Sequence, residues 1–504
     1  MRKKKLFKLV LGTAFLCSGF LLWGQEANAE GTYDYVVTDP QFGANGADQD
    51  TDSDALAAAL AMGGQEQMIT IYVPAGTYYL DESYLRILSN THLILDDNAT
   101  ICRTYTGKNM LRNVDANGAC DQTGGYDMSE NIIIEGGTWD GGDVAHATIA
   151  TDVMRFDHAQ NVTIRNCTIK NVYDCHLVEL IGVKNGTIDQ CTFTGFTYAK
   201  GKSGNWTYAR EAVQLEAAWT NKPSNLKDES QWWARDTVID GTACDNVSIT
   251  NCTFRDIPCG VGQHHFSSND TARNNNIIIS NNTITSPTSN KACKTAITCA
   301  GMDNVTISNN TIQGPYRFGV HIEEASQVTL DANDISGSSI NGIMADSGKK
   351  ISIVNNGISN IKKHGISIGN GTVTEISGNQ ISKTKIDGLT IAKGTVTTVS
   401  KNTFTDIGRH GISMIGGQVG TEKSASTGFL NNTITSCGQN GICASGGKIS
   451  AIKGNQIKKV KNNGISMIKK TAVYKILQNR CTSCKNHKIF NGSTGTKTVT
   501  KGNK

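Results

Sequence analysis

Three short segments of this 504-residue chain carry ionisable side chains in a pattern that could perform acid–base chemistry. The segments are residues 175–180, 210–216 and 259–265, and they superpose when Val178, Val213 and Val261 are aligned. If each segment is a strand, alternate side chains point to the same side. The alignment then predicts three outward columns: Glu179 with Gln214 and Gly262, His176 with Glu211 and Cys259, and Glu216 with His264.

The spacing of neighbouring strands suits these carboxylates to glycoside hydrolysis. Side chains on adjacent strands lie about 5 Å apart, and those on next-but-one strands lie about 10 Å apart. These separations cover the retaining and inverting geometries, and crowded carboxylates raise one another's pKa, as a general acid requires. Glu179 and Glu211 are the first acid and base candidates, followed by Glu216 and Asp240.

The neighbouring basic side chains leave a second chemistry open. His176 or His264 could transfer a proton or bind a sugar hydroxyl, and Arg210 could clamp a uronate carboxylate. In a lyase, Arg210 or a histidine would instead remove the proton beside that carboxylate, and the glutamates would hold Ca²⁺. No other cofactor or metal site is expected, and the structural alternative is that these charges pair with one another and with the insertions. His321, beside Glu323, is a weaker candidate for a second site.

Two insertions, at residues 197–208 and 219–240, flank the same face and carry four of the six tryptophans. The four are Trp206, Trp219, Trp232 and Trp233. Aromatic rings beside polar groups offer a surface on which sugar rings stack. Together with Arg210, Gln214 and His265, these tryptophans form the predicted substrate-binding set. The alternative is that they bury the insertions as a small separate core.

The element that must position these residues is a short repeat. Its second asparagine recurs at Asn310, Asn333, Asn356, Asn379, Asn402, Asn432, Asn455 and Asn479, with a usual period of 23 residues. Such a period, with two β-branched strand patterns, is too short for a propeller blade and has no helical periodicity. It fits one coil of a parallel β-helix, in which coils stack about 4.8 Å apart. The predicted fold class is therefore all-β, a single-stranded parallel β-helix.

Asparagine, glycine and a capping helix have distinct roles in this fold. We expect the repeated asparagine to adopt a left-handed bend and to bond the same asparagine in the coils above and below. The glycine of each coil, such as Gly342, supplies a tight corner. Ser53–Met62 is an apolar segment that ends at a Gly-Gly pair, and it predicts a short helix that covers the open first coil.

The N-terminal motifs resemble those of a known group. Phe42–Gly46, Val73–Tyr78, Ser89–Asp96 and Ala99–Ile101 are similar to the N-terminal signature of the pectate-lyase-like superfamily. That superfamily contains right-handed parallel β-helix polysaccharide lyases, polygalacturonase-type hydrolases and uronan epimerases. The resemblance implies a right-handed β-helix over essentially the whole mature chain. The sequence lacks the Gly-His-Gly and Arg-Ile-Lys motifs of the hydrolases and the Asp-Pro-His-Asp run of the epimerases, so no single activity follows.

The first 29 residues have the three parts of a secretory signal peptide. A basic start is followed by the apolar run Leu9–Trp23 and by a small-residue cleavage site that ends at Ala29. We expect residues 30–130 to form the cap and first coils, 131–490 the β-helix, and 491–504 a disordered basic tail. No mature segment has the roughly 18 apolar residues of a membrane span. The predicted location is secreted or associated with the cell surface.

Charge is distributed unevenly along the mature chain. Residues 349–504 hold 24 Lys and Arg against 4 Asp and Glu, whereas residues 30–348 hold 19 against 39. A basic surface on an exported protein favours anionic partners such as cell-wall polymers or acidic polysaccharide, and the export signal disfavours nucleic acid. The alternative is a solvated basic face that has no partner.

Taken together, these patterns predict a secreted β-helix protein that acts on an extracellular, acidic polysaccharide. Glycoside hydrolysis is favoured over β-elimination because the carboxylates cluster beside the tryptophans. The alternative is a non-catalytic cell-surface adhesin or a polysaccharide-binding spacer. The long, regular C-terminal coils favour that alternative, because they carry no ionisable cluster of this kind.

Overall fold

The computed structural model describes residues 33–81, 84–104, 109–142, 147, 149–218, 237–263, 271–287, 292–493 and 499–504. The predicted signal peptide lies outside the described residues, as do five predicted site residues: Trp219, Trp232, Trp233, His264 and His265. Regular structure in the described part is almost entirely β-strand, with one α-helix, Ser53–Leu60, and one short 3-10 helix, Trp206–Tyr208.

The described strands form two hydrogen-bonded sheets of 31 and 15 strands, in which neighbours are parallel. Within the larger sheet the strands form two stacked series, and the long strands Ile442–Lys453 and Ile465–Leu477 belong to both series. These two series and the smaller sheet give each coil three faces. Apart from those two strands, the first face consists of Tyr35–Val36, Ile69–Val73, Thr91–Leu95, Ser129–Glu135, Ala159–Arg165, Lys184–Asp189, Asp245–Thr250, Asn274–Ser280, Met302–Ser308, Ser326–Asp331, Ile351–Val354, Thr372–Ser377, Thr395–Ser400, Gln418–Val419, Gly428–Leu430 and Val499–Lys501. The second face consists of Gly76–Leu80, Ala99–Arg103, Thr138–Asp140, Thr168–Tyr173, Thr192–Thr197, Thr253–Arg255, Thr283–Thr285, Thr311–Gln313, Asp334–Ser336, Gly357–Ser359, Gln380–Ser382, Thr403–Ile407, Thr433–Cys437, Gln456–Val460 and Arg480–Cys484. The third face consists of Leu85–Ile87, Leu111–Asn113, Met154–Asp157, Val178–Ile181, Val213–Glu216, Val261–Gly262, Thr295–Ala300, Phe318–Glu323, Asn341–Asp346, His364–Ile368, Leu389–Ala392, Ile412–Ile415 and Ile489–Ser493.

The coils stack so that equivalent side chains lie above one another. Ile279, Ile307 and Leu330 are in register on three successive coils of the first face, and all three are fully buried. Alternate residues along each strand point into this interior, where branched apolar side chains pack as one continuous core. The predicted parallel β-helix is therefore confirmed.

A ladder of buried asparagines links the coils from Asn282 to Asn503. Each side-chain Nδ2 donates to the Oδ1 of the asparagine in the next coil, at 2.9–3.0 Å. The predicted ladder is confirmed, but the prediction that its members adopt the left-handed bend is wrong. The bend lies one position earlier, for example at Asn309, Asn355 and Asn431, where φ is 55°, 56° and 54°. The preceding residue turns the chain, and the ladder side chain then points into the interior.

The corner glycines are required for a different reason from the one that the sequence suggests. Gly342 does not have a positive φ, but a Cβ there would lie 2.7 Å from the carbonyl oxygen of Gly365 and 2.6 Å from Ile358 Cγ2. Such a contact is too close for any side chain. Glycine at this corner therefore permits close stacking of successive coils rather than an unusual backbone conformation.

The two ends of the described chain also belong to the solenoid. The predicted cap helix is present as Ser53–Leu60, and it buries Leu56 and Leu60 against the first coils. At the other end, the structure differs from the predicted disordered tail. Ile489–Ser493 and Val499–Lys501 pair with the long strand Ile465–Leu477 because their residues continue the register of the preceding coil.

Candidate functional site

The predicted alignment of the three ionisable segments is correct. On the third face Val178 pairs with Val213, and Val213 pairs with Val261. Glu179, Gln214 and Gly262 consequently stand in one column, as predicted. The register was predictable because each segment places a buried valine at the same position of its coil.

The prediction that these side chains face outward into solvent is wrong. Glu179 is 3% exposed and Glu211 is fully buried, and Gln214 and His176 are buried with them. The reason is that charged side chains from other coils pack against the columns. Arg155 comes from the preceding coil, and Lys294 comes from the end of a later loop. We call Asp152, Arg155, Asp157, Cys175, His176, Glu179, Glu211 and Gln214 the buried charge cluster.

One half of the buried charge cluster is organised around Arg155. Its Nε lies 3.0 Å from Asp157 Oδ1 and 3.5 Å from Glu179 Oε2, and Arg112 also contacts Asp157. Burial, together with repulsion by Asp152, raises the pKa of Glu179 to about 8, although Arg155 opposes the change. Near neutral pH, Glu179 is therefore largely protonated, and Asp157 is the charge partner of Arg155.

The other half of the buried charge cluster is organised around Glu211. Its Oε1 lies 3.5 Å from Lys294 Nζ and 3.3 Å from Cys259 Sγ. The backbone carbonyl of Glu211 bonds to His176 Nδ1 at 2.6 Å, so the predicted neighbours His176, Glu211 and Cys259 are in contact. The sequence analysis missed Lys294 because it lies 83 residues from Glu211 along the chain.

A group of potential metal ligands lies within the same cluster. Asp152, Cys175 and His176 bring one ligand atom each within 4.8 Å of one another. Asp152 Oδ1 already accepts hydrogen bonds from the Cys175 thiol at 2.9 Å and from the His176 amide at 3.1 Å. These bonds account for the arrangement without an ion, and a thiol and an imidazole are not the oxygen ligands that Ca²⁺ prefers. The Ca²⁺ site of the lyase alternative stays a prediction.

The remaining predicted residues in the described part lie around this cluster. Gln214 Nε2 donates to Glu216 Oε2 at 2.7 Å, and Glu216 is half-buried. Asp240 is exposed and accepts hydrogen bonds from the amides of Gly125 and Thr242. Partial burial acts to raise the pKa of Asp240, but these hydrogen bonds outweigh it and the pKa is lowered, which suits an anion and not a general acid. Arg210 is half-buried.

Downstream of Gly262, the same column stays buried at Thr298 and becomes partly accessible to solvent at His321 and Met344. Gly262 pairs with Thr298, Thr298 with His321, and His321 with Met344. On the same side of the third face, Glu323 is exposed and is in register with Asp346 on the next coil. Burial, with repulsion by Asp346, raises the pKa of Glu323, and burial lowers the pKa of His321 to about 4. His321 is therefore neutral near pH 7.

Aromatic rings extend this accessible part of the face. The Arg317 guanidinium lies 4.0 Å from the ring of Trp206, which is 36% exposed, and the Phe318 and His321 rings are 5.0 Å apart. Trp206 thus borders polar groups as predicted, but its partner is Arg317, which the sequence analysis missed. We call Trp206, Arg317, Phe318, His321, Glu323 and Asp346 the open strip.

Comparison with known proteins identifies the family. A family model for a right-handed β-helix region matches residues 237–404 and 364–504, which together make up more than half of the chain. The chain belongs to the right-handed β-helix family. This result confirms the right-handed β-helix that the resemblance to the pectate-lyase-like superfamily implied.

Within this family, the chain is similar to a streptococcal adhesin. It is 29% identical over 257 residues to the plasmin and fibronectin-binding protein A of Streptococcus pneumoniae (strain ATCC BAA-255 / R6), covering 47% of this chain and 33% of that protein. The chain thus matches about a third of the length of that relative. The crystal structure of PfbA, a surface adhesin of Streptococcus pneumoniae, has the same fold, with 20% identity, a TM-score of 0.57 and coverage of 76% of this chain and 93% of that one.

A solved right-handed β-helix enzyme shows a lower structural similarity. It is a hyperthermoactive exopolygalacturonase from Thermotoga maritima, with 10% identity, a TM-score of 0.46 and coverage of 79% of this chain and 90% of that one.

Within the described residues, none of the helices has the length and apolar character that crossing a membrane requires.

Proposed function

We propose that this β-helix is an adhesin-type binding protein of the cell surface, which holds an extracellular glycan along the open strip without cleaving it. The observation that carries the proposal is the burial of Glu179 and Glu211. The sequence pattern makes these two carboxylates the first acid and base candidates, but each lies inside the protein beside a cation.

Their burial matters because a catalytic acid must reach the oxygen of the bond that it protonates. A general acid works within hydrogen-bonding distance of its substrate, directly or through one water molecule. Exposing Glu211 to a sugar would separate it from Lys294, and breaking a buried ion pair is strongly unfavourable. The buried charge cluster is therefore better suited to holding neighbouring coils together than to turnover.

The open strip has the features of a sugar-binding surface. Trp206 presents an aromatic ring whose position is fixed by Arg317. His321, Glu323 and Asp346 supply polar groups farther along the same face. Rings for stacking, next to side chains that bond hydroxyl groups, form a surface on which a glycan can bind through its sugar rings. The similarity to a surface adhesin supports binding as the class of function.

Hydrolysis at the open strip is the second candidate function. Glu323 and Asp346 are in register on adjacent coils, which places their carboxylates about 5 Å apart, as in a retaining glycosidase. The raised pKa of Glu323 suits a general acid, and Asp346 would then be the nucleophile. This candidate retains the predicted glycoside hydrolysis but assigns it to Glu323 and Asp346 instead of Glu179 and Glu211.

One experiment separates the two functions. The full chain is screened on a panel of neutral and acidic polysaccharides for retention and for turnover, read as new reducing ends and as absorbance of unsaturated uronates. Retention without turnover, reduced by Trp206→Ala, is the expected result. Turnover that Glu323→Gln abolishes would establish the second candidate. Turnover that only Glu211→Gln abolishes would show that the catalytic site lies in the buried charge cluster. If no polysaccharide is retained, the proposed function is wrong.

A further inference from the structure

A second surface lies at the corner that follows the second face, on the basic C-terminal coils beyond those that carry the open strip. Six successive coils place equivalent residues at this corner: Lys362, Lys385, Gly408, Gly438, Lys461 and Lys485. Their amides bond the preceding coil in the same way; Lys385 N donates to Ile361 O at 2.9 Å, and Gly408 N donates to Thr384 O at 2.8 Å. Two pairs of lysines therefore flank two glycines along the axis.

A parallel column lies beside this one. Lys383, Asp406, Ser436 and Lys459 occupy equivalent positions, and their φ values of 51°, 56°, 61° and 56° place all four in the left-handed region. Between the two columns lies a groove of about 520 Å³, lined by Lys383, Lys385, Lys459 and Lys461 and by one carboxylate, Asp406. We call it the lysine groove.

The glycines keep the middle of the groove open. A Cβ at Gly408 would lie 2.2 Å from the carbonyl oxygen of Lys385, and a Cβ at Gly438 would lie 2.0 Å from the carbonyl oxygen of Gly408. No side chain can occupy either position without moving the backbone. The gap between the two lysine pairs is therefore a consequence of how closely the coils stack. From Lys385 to Lys461 it spans three coil-to-coil spacings, or about 14 Å.

The lysines of the groove carry charge that the described residues do not neutralise. Lys383, Lys385, Lys459 and Lys461 are exposed, and within the described ranges none of them forms an ion pair. Because the lysines are anchored to a stiff solenoid, their spacing along the axis is fixed before any ligand arrives. A linear partner that carries regularly spaced anions fits such an array.

We infer that the lysine groove binds a linear acidic polysaccharide, whose carboxylate or sulfate groups pair with the two sets of lysines. This goes beyond the proposed function because it assigns a second surface and names the class of glycan that this surface binds. The residues that line the groove include no aromatic side chain. Single-stranded nucleic acids are held by base stacking on aromatic rings as well as by charge, so a lining of lysines without aromatic rings favours a polymer that is bound through its anionic groups alone.

The test measures the affinity of the full chain for a polyuronate and for a sulfated glycan at increasing salt. Lys385→Ala/Lys461→Ala should raise Kd about tenfold at low salt and should flatten the salt dependence, because fewer counterions are released. The matched control is Lys469→Ala/Lys470→Ala, which removes two exposed lysines outside the groove and should change Kd little. All of these side chains are exposed, so thermal unfolding should match that of the parent protein.

The outcomes separate this inference from the proposed function. A loss of affinity confined to the groove variant supports the inference, and the preferred glycan then identifies the anion as carboxylate or sulfate. An equal loss in the control variant would mean that the net charge alone attracts the polymer, and the inference would fail. It would also fail if a single-stranded oligonucleotide bound through the groove while glycans did not. Acidic-glycan binding that depends on Trp206 and not on the lysines would overturn the inference and leave the proposed function standing.

Discussion

Arg155 and Glu179 are in register on adjacent coils of the third face, and the Arg155 Nε atom lies 3.5 Å from Glu179 Oε2. The same Nε lies closer to Asp157, at 3.0 Å. One guanidinium thus stands between two buried carboxyl groups, and the pKa of Glu179 rises to about 8, mainly because the side chain is buried. Burial outweighs the opposing guanidinium, so this candidate catalytic residue is a structural group that holds a proton.

Glu179→Gln should flatten the dependence of stability on pH. The pKa of Glu179 is raised from 4.5 to about 8, so the folded chain keeps a proton that the unfolded chain releases between these values. The stability from this proton is complete below pH 4.5 and is lost as the pH rises through about 8. Glutamine does not ionise, and the variant should therefore gain stability over the parent, on the order of 5 kcal/mol at high pH. Thermal unfolding measured from about pH 5 to pH 9 checks this, with Glu375→Gln, an exposed site, as the control. Parallel profiles for parent and Glu179→Gln would contradict it.

Lys294→Met should destabilise the fold. The Nζ atom of Lys294 lies 3.5 Å from the fully buried Glu211, and removal of one partner of a buried pair costs about 3–5 kcal/mol. The double variant Lys294→Met/Glu211→Gln should recover most of the loss, because no buried charge then remains at either position. Denaturant midpoints measure the effect, and Lys349→Met, at an exposed position, is the control. A double variant no more stable than Lys294→Met alone would show that the pair is not coupled.

Asn379→Ala should disrupt the asparagine ladder. Asn379 Oδ1 accepts from the amide and from the side chain of Asn356, and its Nδ2 donates to Asn402 Oδ1. The change leaves buried polar groups without these partners, at a cost of about 2–4 kcal/mol. Thermal unfolding should shift clearly downward for Asn379→Ala and hardly at all for Asn370→Ala, whose side chain is exposed. Equal shifts would argue against a stabilising ladder.

Trp206→Ala should weaken glycan binding about tenfold, since a stacked aromatic ring contributes on the order of 1 kcal/mol or more. The matched control is Phe490→Ala. Phe490 is 37% exposed, close to the 36% of Trp206, but it lies in a C-terminal coil outside the open strip. Calorimetric titration with the glycan retained most strongly in the screen measures both variants. If Phe490→Ala weakens binding as much as Trp206→Ala does, the open strip is not the binding surface.

The fold could be predicted because its repeat is visible in the sequence. The 23-residue spacing of asparagines indicated both the β-helix and the ladder, and the ladder bonds join those same residues. The position of the left-handed bend could not be predicted, because asparagine often stands at both adjacent positions, as at Asn309 and Asn310. Either residue tolerates the bend, and only the direction of the buried side chain decides between them.

The candidate site was predictable in register but not in exposure. Aligning Val178 with Val213 required only that inward and outward side chains alternate along a strand, and the two valines are paired in the structure. Whether Glu179 and Glu211 reach solvent depends on Arg155 and Lys294, which belong to other coils. A pattern within one segment carries no information about what packs against it. The acidic residue beside His321 was noted in the sequence, but its partner Asp346 lies on the next coil.

The contact between Gly342 and Gly365 also limits how the length of this molecule can change. Because the corner of one coil rests on the carbonyl group of the next, a deletion or duplication preserves packing only when it removes or adds a whole coil. Extra residues are accommodated where a strand of one face is interrupted, as in the longer coil where Gln418–Val419 and Gly428–Leu430 both pair with Thr395–Ser400. The rod can therefore grow only in increments of about 4.8 Å, and each coil duplicated between Gly408 and Gly438 would move the two lysine pairs one increment farther apart.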